Sequence, residues 1–220
     1  VPAHYFDPDP ATPSEPVEVT WSLPDGPLRL LTDRGVFGYG SVDTGTKLLL
    51  VTAPPPPAHG DLLDLGCGTG AIALTLARRS PSATIWAVDV NARARALTAR
   101  NADSHDLGNV RVVAPEEVPA DVRFAAIWSN PPIRIGKVAL HELLLRWLGR
   151  LAPATAADPG ANAHLVVHKH LGADSLQRWL GEHGHETARI GTGAGFRVLR
   201  VSAAGRPRPA SGSPDALAHP

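Results

Sequence analysis

The sequence predicts an α/β fold: a mostly parallel, seven-stranded sheet with an antiparallel C-terminal hairpin and a small N-terminal β cover. Three observations lead there. From Gly60 onward, short apolar runs alternate with helical periods, the pattern of repeated strand–helix units. Residues 124–129 form a nearly unbroken apolar run suited to a central strand covered on both faces. The last two strand-like runs, 186–190 and 196–201, are joined only through Gly191-Thr192-Gly193-Ala194-Gly195, which makes them an antiparallel pair at one edge.

In chain order, residues 1–16 read as an extended, proline-rich lead. Residues 17–23 alternate as a strand, Pro24-Asp25-Gly26-Pro27 is a turn, and 28–31 completes a hairpin. Residues 33–37 resemble a further turn and strand, and 44–52 a short helix that stops before the run Pro54 to Pro57. Strands are then expected at 61–64, 84–89, 110–113, 124–129 and 163–168. Helices are expected at 70–79, 92–104, 138–151 and 175–182. Residues 152–163 read as a loop and 203–220 as a disordered tail. The expected organisation is one domain over 17–202, divided into a cover (17–58) and a core (59–202).

Composition narrows the functional classes. The 220 residues are 43% hydrophobic and 19% charged, with no apolar run long enough for a membrane span, so a soluble protein without a membrane partner is expected. A single cysteine excludes an internal disulfide and a cysteine-cluster metal site, and no metal is expected. The N-terminus lacks the features of a signal peptide, which makes the cytoplasm the expected compartment. The formal net charge of zero conceals an asymmetry: residues 1–30 hold 5 acids and 1 base, whereas residues 121–220 hold 7 acids and 12 bases. A nucleic-acid partner would have to be held by such a local face.

The strongest motif is Asp64-Leu65-Gly66-Cys67-Gly68-Thr69-Gly70, which follows an apolar strand and opens a helix. Glycines there let the backbone approach a ligand. Asp89, with Val90 beside it, ends the next strand, where a carboxylate can accept hydrogen bonds from both hydroxyls of a ribose. The dinucleotide fingerprint fails, because Gly66, Gly68 and Gly70 are spaced by two throughout and Asp64 would repel a pyrophosphate. An acid at that point suits a cationic ligand. Each aspartate alone could be a helix or turn cap; their joint placement is what points to a site. Cys67 reads as a small packing residue.

The second motif is Ser129-Asn130-Pro131-Pro132-Ile133-Arg134-Ile135-Gly136-Lys137, directly after the fourth core strand. Two prolines restrict the backbone, so the Asn130 side-chain oxygen and the Pro131 carbonyl can be preorganised to accept the two hydrogens of a planar exocyclic amine. Holding that nitrogen in one orientation favours its direct attack on an electrophile placed in line with its lone pair.

The acid-first glycine loop resembles that of class I S-adenosylmethionine-dependent methyltransferases, whose fold is Rossmann-like. The resemblance implies S-adenosylmethionine as cofactor, held by Asp64, Gly66, Cys67, Gly68, Gly70, Asp89, Val90 and Asn130. Asn-Pro-Pro resembles the acceptor motif of enzymes that methylate amino nitrogens of adenine, guanine or protein glutamine, which implies catalytic roles for Asn130, Pro131, Pro132 and Ile133. The fourth residue of that motif is usually an aromatic that stacks on a flipped base, and here it is Ile133, so stacking must come from elsewhere. Phe37, Tyr39 and Trp128 are candidates, Trp128 being the better core residue.

Gly35-Val36-Phe37 and Val42-Asp43-Thr44-Gly45-Thr46-Lys47-Leu48-Leu49, together with residues 130–137, resemble the small-subunit ribosomal RNA guanine-N2 methyltransferase C family. The resemblance runs from about His4 to Val201 and corresponds to the catalytic half of longer enzymes. It implies N2 methylation of a guanine in 16S ribosomal RNA, as naked RNA or within the small ribosomal subunit. Residues 43–46 match the segment that closes over the cofactor, which adds Thr46 to the cofactor set. Candidate substrate contacts are Phe37, Tyr39, Arg134, Lys137, Lys169 and Arg197, with His168 or His170 near Lys169, and Arg206 and Arg208 in the tail. The acceptor motif alone leaves adenine N6 and protein glutamine open, as well as a noncatalytic cofactor- or RNA-binding protein. A monomer is expected, with a homodimer left open.

Overall fold

The computed structural model describes residues 11–41, 43–153 and 160–203. Seven strands form one sheet in the order β5-β4-β3-β6-β7-β9-β8, with β3 His59–Leu65, β4 Ser82–Val88, β5 Val110–Val113, β6 Phe124–Ser129, β7 Asn162–His168, β8 Thr187–Gly193 and β9 Phe196–Ser202. β3 pairs in parallel with β4 and β6, and β9 is antiparallel to β7 and β8, as the sequence predicts. Strands β1 (Val17–Leu23) and β2 (Gly26–Thr32) make the separate two-stranded cover.

Alternation along the strands builds two cores. On one face Leu62, Ile85, Trp128, Val166 and Val198 meet helices α1 (Thr44–Thr52), α2 (Ala71–Arg79) and part of α3 (Ala92–Ser104). On the other, Leu63, Ile127, Leu165, Leu199 and Val201 meet α4 (Lys137–Leu148) and α5 (Ala173–Glu182). Truncating a fully buried leucine such as Leu62 or Leu63 to alanine costs about 2–5 kcal/mol.

A two-stranded ribbon is marginal alone, and side chains of the core pin it. Trp21, Leu28 and Leu30 enter the first core. Asn101 on α3 pairs with both backbone groups of Leu31, its Oδ1 accepting from the N–H at 2.8 Å and its Nδ2 donating to the carbonyl at 2.9 Å. Arg79 donates to both carboxylate oxygens of Asp25 in the hairpin turn, at 2.8 and 3.0 Å.

Four expectations need correction. Residues 33–37 form no strand: the Asp33 side chain accepts from Glu15 N and Arg34 N, its carbonyl accepts from Val36 N, and the chain closes into turns. The α4 helix ends at Leu148, short of 151, because Phe124 N donates to Arg150 O and Ala152 N to Phe124 O, which draws Leu151 into a bridge beside β6. Helix α5 begins at Ala173, just after the left-handed Gly172. The terminal hairpin turns in only two residues, Ala194 (φ 47°) and Gly195 (φ 83°), with positive angles at both as a tight primed turn requires, so β8 extends through the glycines expected to form the loop. The tail with Arg206 and Arg208, most of the lead, Val42 and the middle of the loop 152–163 lie outside the described residues.

Candidate active site

β3, β4, β6 and β7 run parallel, so their C-terminal ends share one edge. The sheet order turns at β3, with β4 and β5 to one side and β6 and β7 to the other. That is the switch point at which open α/β sheets hold ligands. A cavity of about 810 Å³ opens there, a size suited to a small-molecule site.

The glycine loop forms its floor. Gly66 N and Cys67 N both donate to Val88 O, at 2.8 and 3.0 Å, which folds the loop over the end of β4. Gly66 (φ 80°) and Gly68 (φ 54°) are left-handed, and a side-chain carbon on Gly66 would meet no protein atom within 4 Å, so open cavity lies in front of it. Gly70 does a different job: a methyl there would sit 2.9 Å from both Leu74 and Thr98. Its bare Cα lets α2 and α3 close behind the loop. Cys67 is buried, and burial raises its thiol pKa well above the usual range, with Asp89 and Asp64 adding to the effect; it remains a neutral packing group.

The two acids of the motif part company. Asp64 is fully buried beneath the loop, one oxygen accepting from Ala73 N at 2.9 Å and the other without a partner. Burial pushes its pKa up to about 8, and it does not line the cavity. Asp89 does. Its Oδ2 accepts from Gly68 N and its Oδ1 from Asn91 N, both at 2.9 Å, so one carboxylate holds two loops in register. Burial raises the Asp89 pKa against these bonds and against Arg95, which donates to the carbonyls of Asp89 and Val90. Val90 presents an apolar surface beside it, 44% exposed, and Pro115, just beyond β5, shares the lining.

At the end of β6, Ser129 donates to Leu65 O at 2.6 Å and ties that strand to β3. Asn130 follows. Its Nδ2 donates to Asp43 Oδ2 and to Thr46 Oγ1, each at 3.0 Å, which engages both amide hydrogens. The same Asp43 oxygen caps α1 by accepting from Thr46 N at 2.6 Å. A carboxylate can only accept, so the amide orientation is decided by its partners, and Oδ1 is the group left to accept from a ligand. The Pro131 carbonyl accepts from Ile133 N at 2.8 Å across Pro132 (φ −74°, ψ 71°), an inverse γ-turn that leaves one lone pair. Pro131, Pro132, Ile133 and Arg134 all line the cavity.

The cover supplies the near wall. Phe37, 45% exposed, and Tyr39 line it, and Asn91 Nδ2 holds their loop by donating to Gly35 O at 2.8 Å. Thr46 lines the cavity as well as bonding Asn130. Trp128, a sequence candidate for stacking, is only 2% exposed and packs in the core against His164. Of the lysine and arginine candidates among the described residues, Arg134 reaches the lining, and His168 and His170, named beside Lys169, line it too. Lys137 and Lys169 are exposed outside it, and Arg197 is paired with Asp174 of α5. Sequence reasoning passed over Pro115, Leu143, Leu171 and Phe196, which line the cavity. Pro115 was findable, since it follows a strand that ends at the ligand edge; Phe196 carries no local signal, because the antiparallel hairpin alone brings it there.

Among the described residues no helix is long and apolar enough to cross a membrane, and no cluster of three or more His, Cys, Asp or Glu could hold a metal ion. A family model described as the methyltransferase small domain matches residues 27–200. The chain is 31% identical over 203 residues to the uncharacterized protein YbxB of Bacillus subtilis, covering 90% of this chain and 97% of that protein. It is 34% identical over 181 residues to ribosomal RNA small subunit methyltransferase C of Pseudomonas aeruginosa, covering 81% of this chain and 52% of that enzyme. The chain thus spans about half the length of the curated methyltransferase C relatives it matches. Among solved structures, the T. thermophilus 16S rRNA N2 G1207 methyltransferase in complex with AdoMet and guanosine superposes with a TM-score of 0.66 at 22% identity, over 86% of this chain and 51% of that one, a likeness of fold.

Proposed function

The chain belongs to the methyltransferase small-domain family, and from that premise we propose that it transfers a methyl group from S-adenosylmethionine to the exocyclic N2 amine of a guanine in small-subunit ribosomal RNA. The observation that carries the reading is the Asn130 amide, turned by Asp43 and Thr46 so that its oxygen is left to accept. The cavity fits the donor. Asp43 and Asp89 line it, Arg134 is the one lysine or arginine in that lining among the described residues, and open space fronts the bare Gly66, an environment for a cationic sulfonium and ammonium rather than a pyrophosphate.

When bound, S-adenosylmethionine supplies an electrophilic methyl on a positively charged sulfur. Asp89, with the lone pairs its two backbone bonds leave, would accept from the ribose hydroxyls, and Val90 and Pro115, which line the same end of the cavity, would hold the adenine. Asn130 Oδ1 and the free lone pair of the Pro131 carbonyl take the two amine hydrogens, which turns the nitrogen lone pair out of ring conjugation and toward the methyl. The bound group would thereby supply a methyl to the held nitrogen and be left as a neutral sulfide, while one amine proton would pass from the Asn130–Pro131 clamp to water. Arg134 at the lining, with Lys137 and Lys169 exposed beyond it, meets RNA phosphates.

The relatives named ribosomal RNA small subunit methyltransferase C support a ribosomal RNA acceptor over protein glutamine, and the choice of guanine N2 over adenine N6 follows the name of the structural neighbour, a 16S rRNA N2 G1207 methyltransferase. Incubation with labelled S-adenosylmethionine and, separately, 16S RNA, assembled small subunits, 23S RNA, transfer RNA and protein, followed by nucleoside analysis, tests it. N2-methylguanosine in 16S RNA or small subunits is expected. Label confined to protein, or N6-methyladenosine in place of it, overturns the assignment.

A further inference from the structure

The acceptor motif leaves a gap in its own chemistry: Ile133 stands where a flat surface would hold the purine, and Trp128 is sealed in the core. Of the other rings in the lining, Phe37 lies over Gly68 of the glycine loop and Tyr39 carries the Arg34 guanidinium over its ring, which leaves the far side of the cavity to a third. Phe196, the first residue of β9, lines it together with His168 at the end of β7 and Leu171 just beyond. The two rings meet edge to face, with centroids 4.9 Å apart and planes at 87°, so His168 braces the phenyl ring where it lines the cavity.

Two glycines make room for this pair. A methyl on Gly45 would fall 2.7 and 2.9 Å from two Phe196 ring carbons, and one on Gly195 would fall 2.9 Å from His168 Nε2. The first contact also locates the ring. Gly45 lies in the first turn of α1 between Asp43 and Thr46, the two residues that hold the Asn130 amide. Phe196 is therefore seated against the same turn that orients the acceptor group.

We propose that Phe196, braced by His168 and seated on Gly45, is the surface on which the acceptor purine stacks, replacing the aromatic that the Asn-Pro-Pro motif lacks at Ile133. The inference rests on the amine-methylating function above and adds the specificity element that selects a planar base. A flat apolar face beside the amide places the ring of the base while Asn130 and Pro131 hold its amine, whereas a glutamine side chain offers nothing to stack.

The test compares wild type, Phe196→Leu and Phe196→Tyr in methyl transfer to small-subunit RNA, with donor affinity and melting temperature measured alongside. Leucine fills much of the space against α1 without a π-face; tyrosine keeps the face. Phe196→Leu is expected to bind S-adenosylmethionine and melt as the wild type does while its KM for RNA rises about 10- to 100-fold, the range for loss of one stacked base. Phe196→Tyr should keep a KM near that of the wild type. A Phe196→Leu protein with an unchanged KM for RNA overturns the proposal, as does a Phe196→Tyr protein as impaired as the leucine variant. Wild-type protein that methylates no RNA overturns the functional reading instead.

Discussion

Replacing Asn130 with aspartate tests the amide clamp with almost no change in shape. The Nδ2 that now donates to Asp43 Oδ2 and Thr46 Oγ1 at 3.0 Å becomes a carboxylate oxygen. A charge-assisted bond of about 1.5–3 kcal/mol is lost. In its place two carboxylates face each other, and at an effective dielectric near 20 that repulsion is about 4 kcal/mol at 4 Å. Some of it is relieved if α1 moves away, but that also withdraws Thr46 from the cavity. A net penalty of about 4 kcal/mol in the reactive geometry corresponds to about a thousandfold loss in single-turnover rate. Adding Asp43→Asn removes one charge and restores a donor opposite the new carboxylate, while the α1 cap, which shares that Asp43 oxygen, must pass to the other atom of the amide, so recovery is partial. The double variant should regain at least about tenfold. Single-turnover transfer from labelled donor at saturating substrate reads both values. Full activity in Asn130→Asp, or no recovery when Asp43→Asn is added, refutes the claim that Asp43 sets the orientation of the catalytic amide.

Asp89→Ala removes the acceptor proposed for the ribose and unties Gly68 from Asn91, so donor affinity by calorimetry should fall about 10- to 100-fold, with Asp89→Asn losing less; an unaltered Kd removes the ribose role. Asp64 has a folded pKa of about 8 against 3.8 when free, so its contribution to stability is fully present below about pH 4 and is lost as pH rises toward 8. Asp64→Asn keeps an acceptor for Ala73 N and cannot ionise, so in donor-free protein its stability by urea denaturation should gain on wild type between about pH 5 and pH 8; parallel curves contradict this. His164 is the opposite case: buried against Trp128 with neither ring nitrogen partnered, it has its pKa drawn down to about 4 by burial and by Arg200. Unfolding lets it bind a proton below about pH 6.5, so stability is lost as pH falls from there toward 4, by about 3 kcal/mol in all, and His164→Phe should lack that part of the acid loss. Equal acid slopes in the two proteins refute it.

The sheet was legible because its signals are local and repeated. Apolar runs of strand length alternate with helical periods, and Phe124–Ser129 and Val110–Val113 occur where the pattern puts them. The glycine loop and Asn130 were equally legible, since each follows a strand and so falls on the ligand edge. What was hidden depends on pairing across the chain. Nothing local distinguishes Asp64, buried with an unpartnered oxygen, from Asp89, which faces the cavity; the difference is that α2 closes over the first. Residues 33–37 have strand-like composition, yet the Asp33 carboxylate gathers Ser14, Glu15 and Arg34 and turns the chain instead. Arg197 has the charge of an RNA contact, and only the packing of β9 beside α5 reveals its pairing with Asp174.

These long-range contacts also alter what the N-terminal segment is for. The change of period near Gly60 separates a cover at 17–58 from a core at 59–202, and the sequence places Phe37, Tyr39 and Thr46 of the cover against the ligands. The bonds that orient Asn130 come from Asp43 and Thr46, 87 and 84 positions earlier in the chain. The carboxylate that makes one of them also starts α1, and the glycine between the two residues seats Phe196 from the far end of the sheet. One helical turn therefore meets the amine-binding amide and the proposed stacking ring, so a perturbation of the cover registers first in acceptor chemistry. Donor contacts, anchored by Asp89 and the glycine loop on β3 and β4, are held by bonds that do not pass through α1. Gly45→Ala, which presses on Phe196 and leaves Asp43 and Thr46 in place, should therefore lower transfer to RNA while sparing donor affinity, a split that a simple lid over the cofactor would not produce.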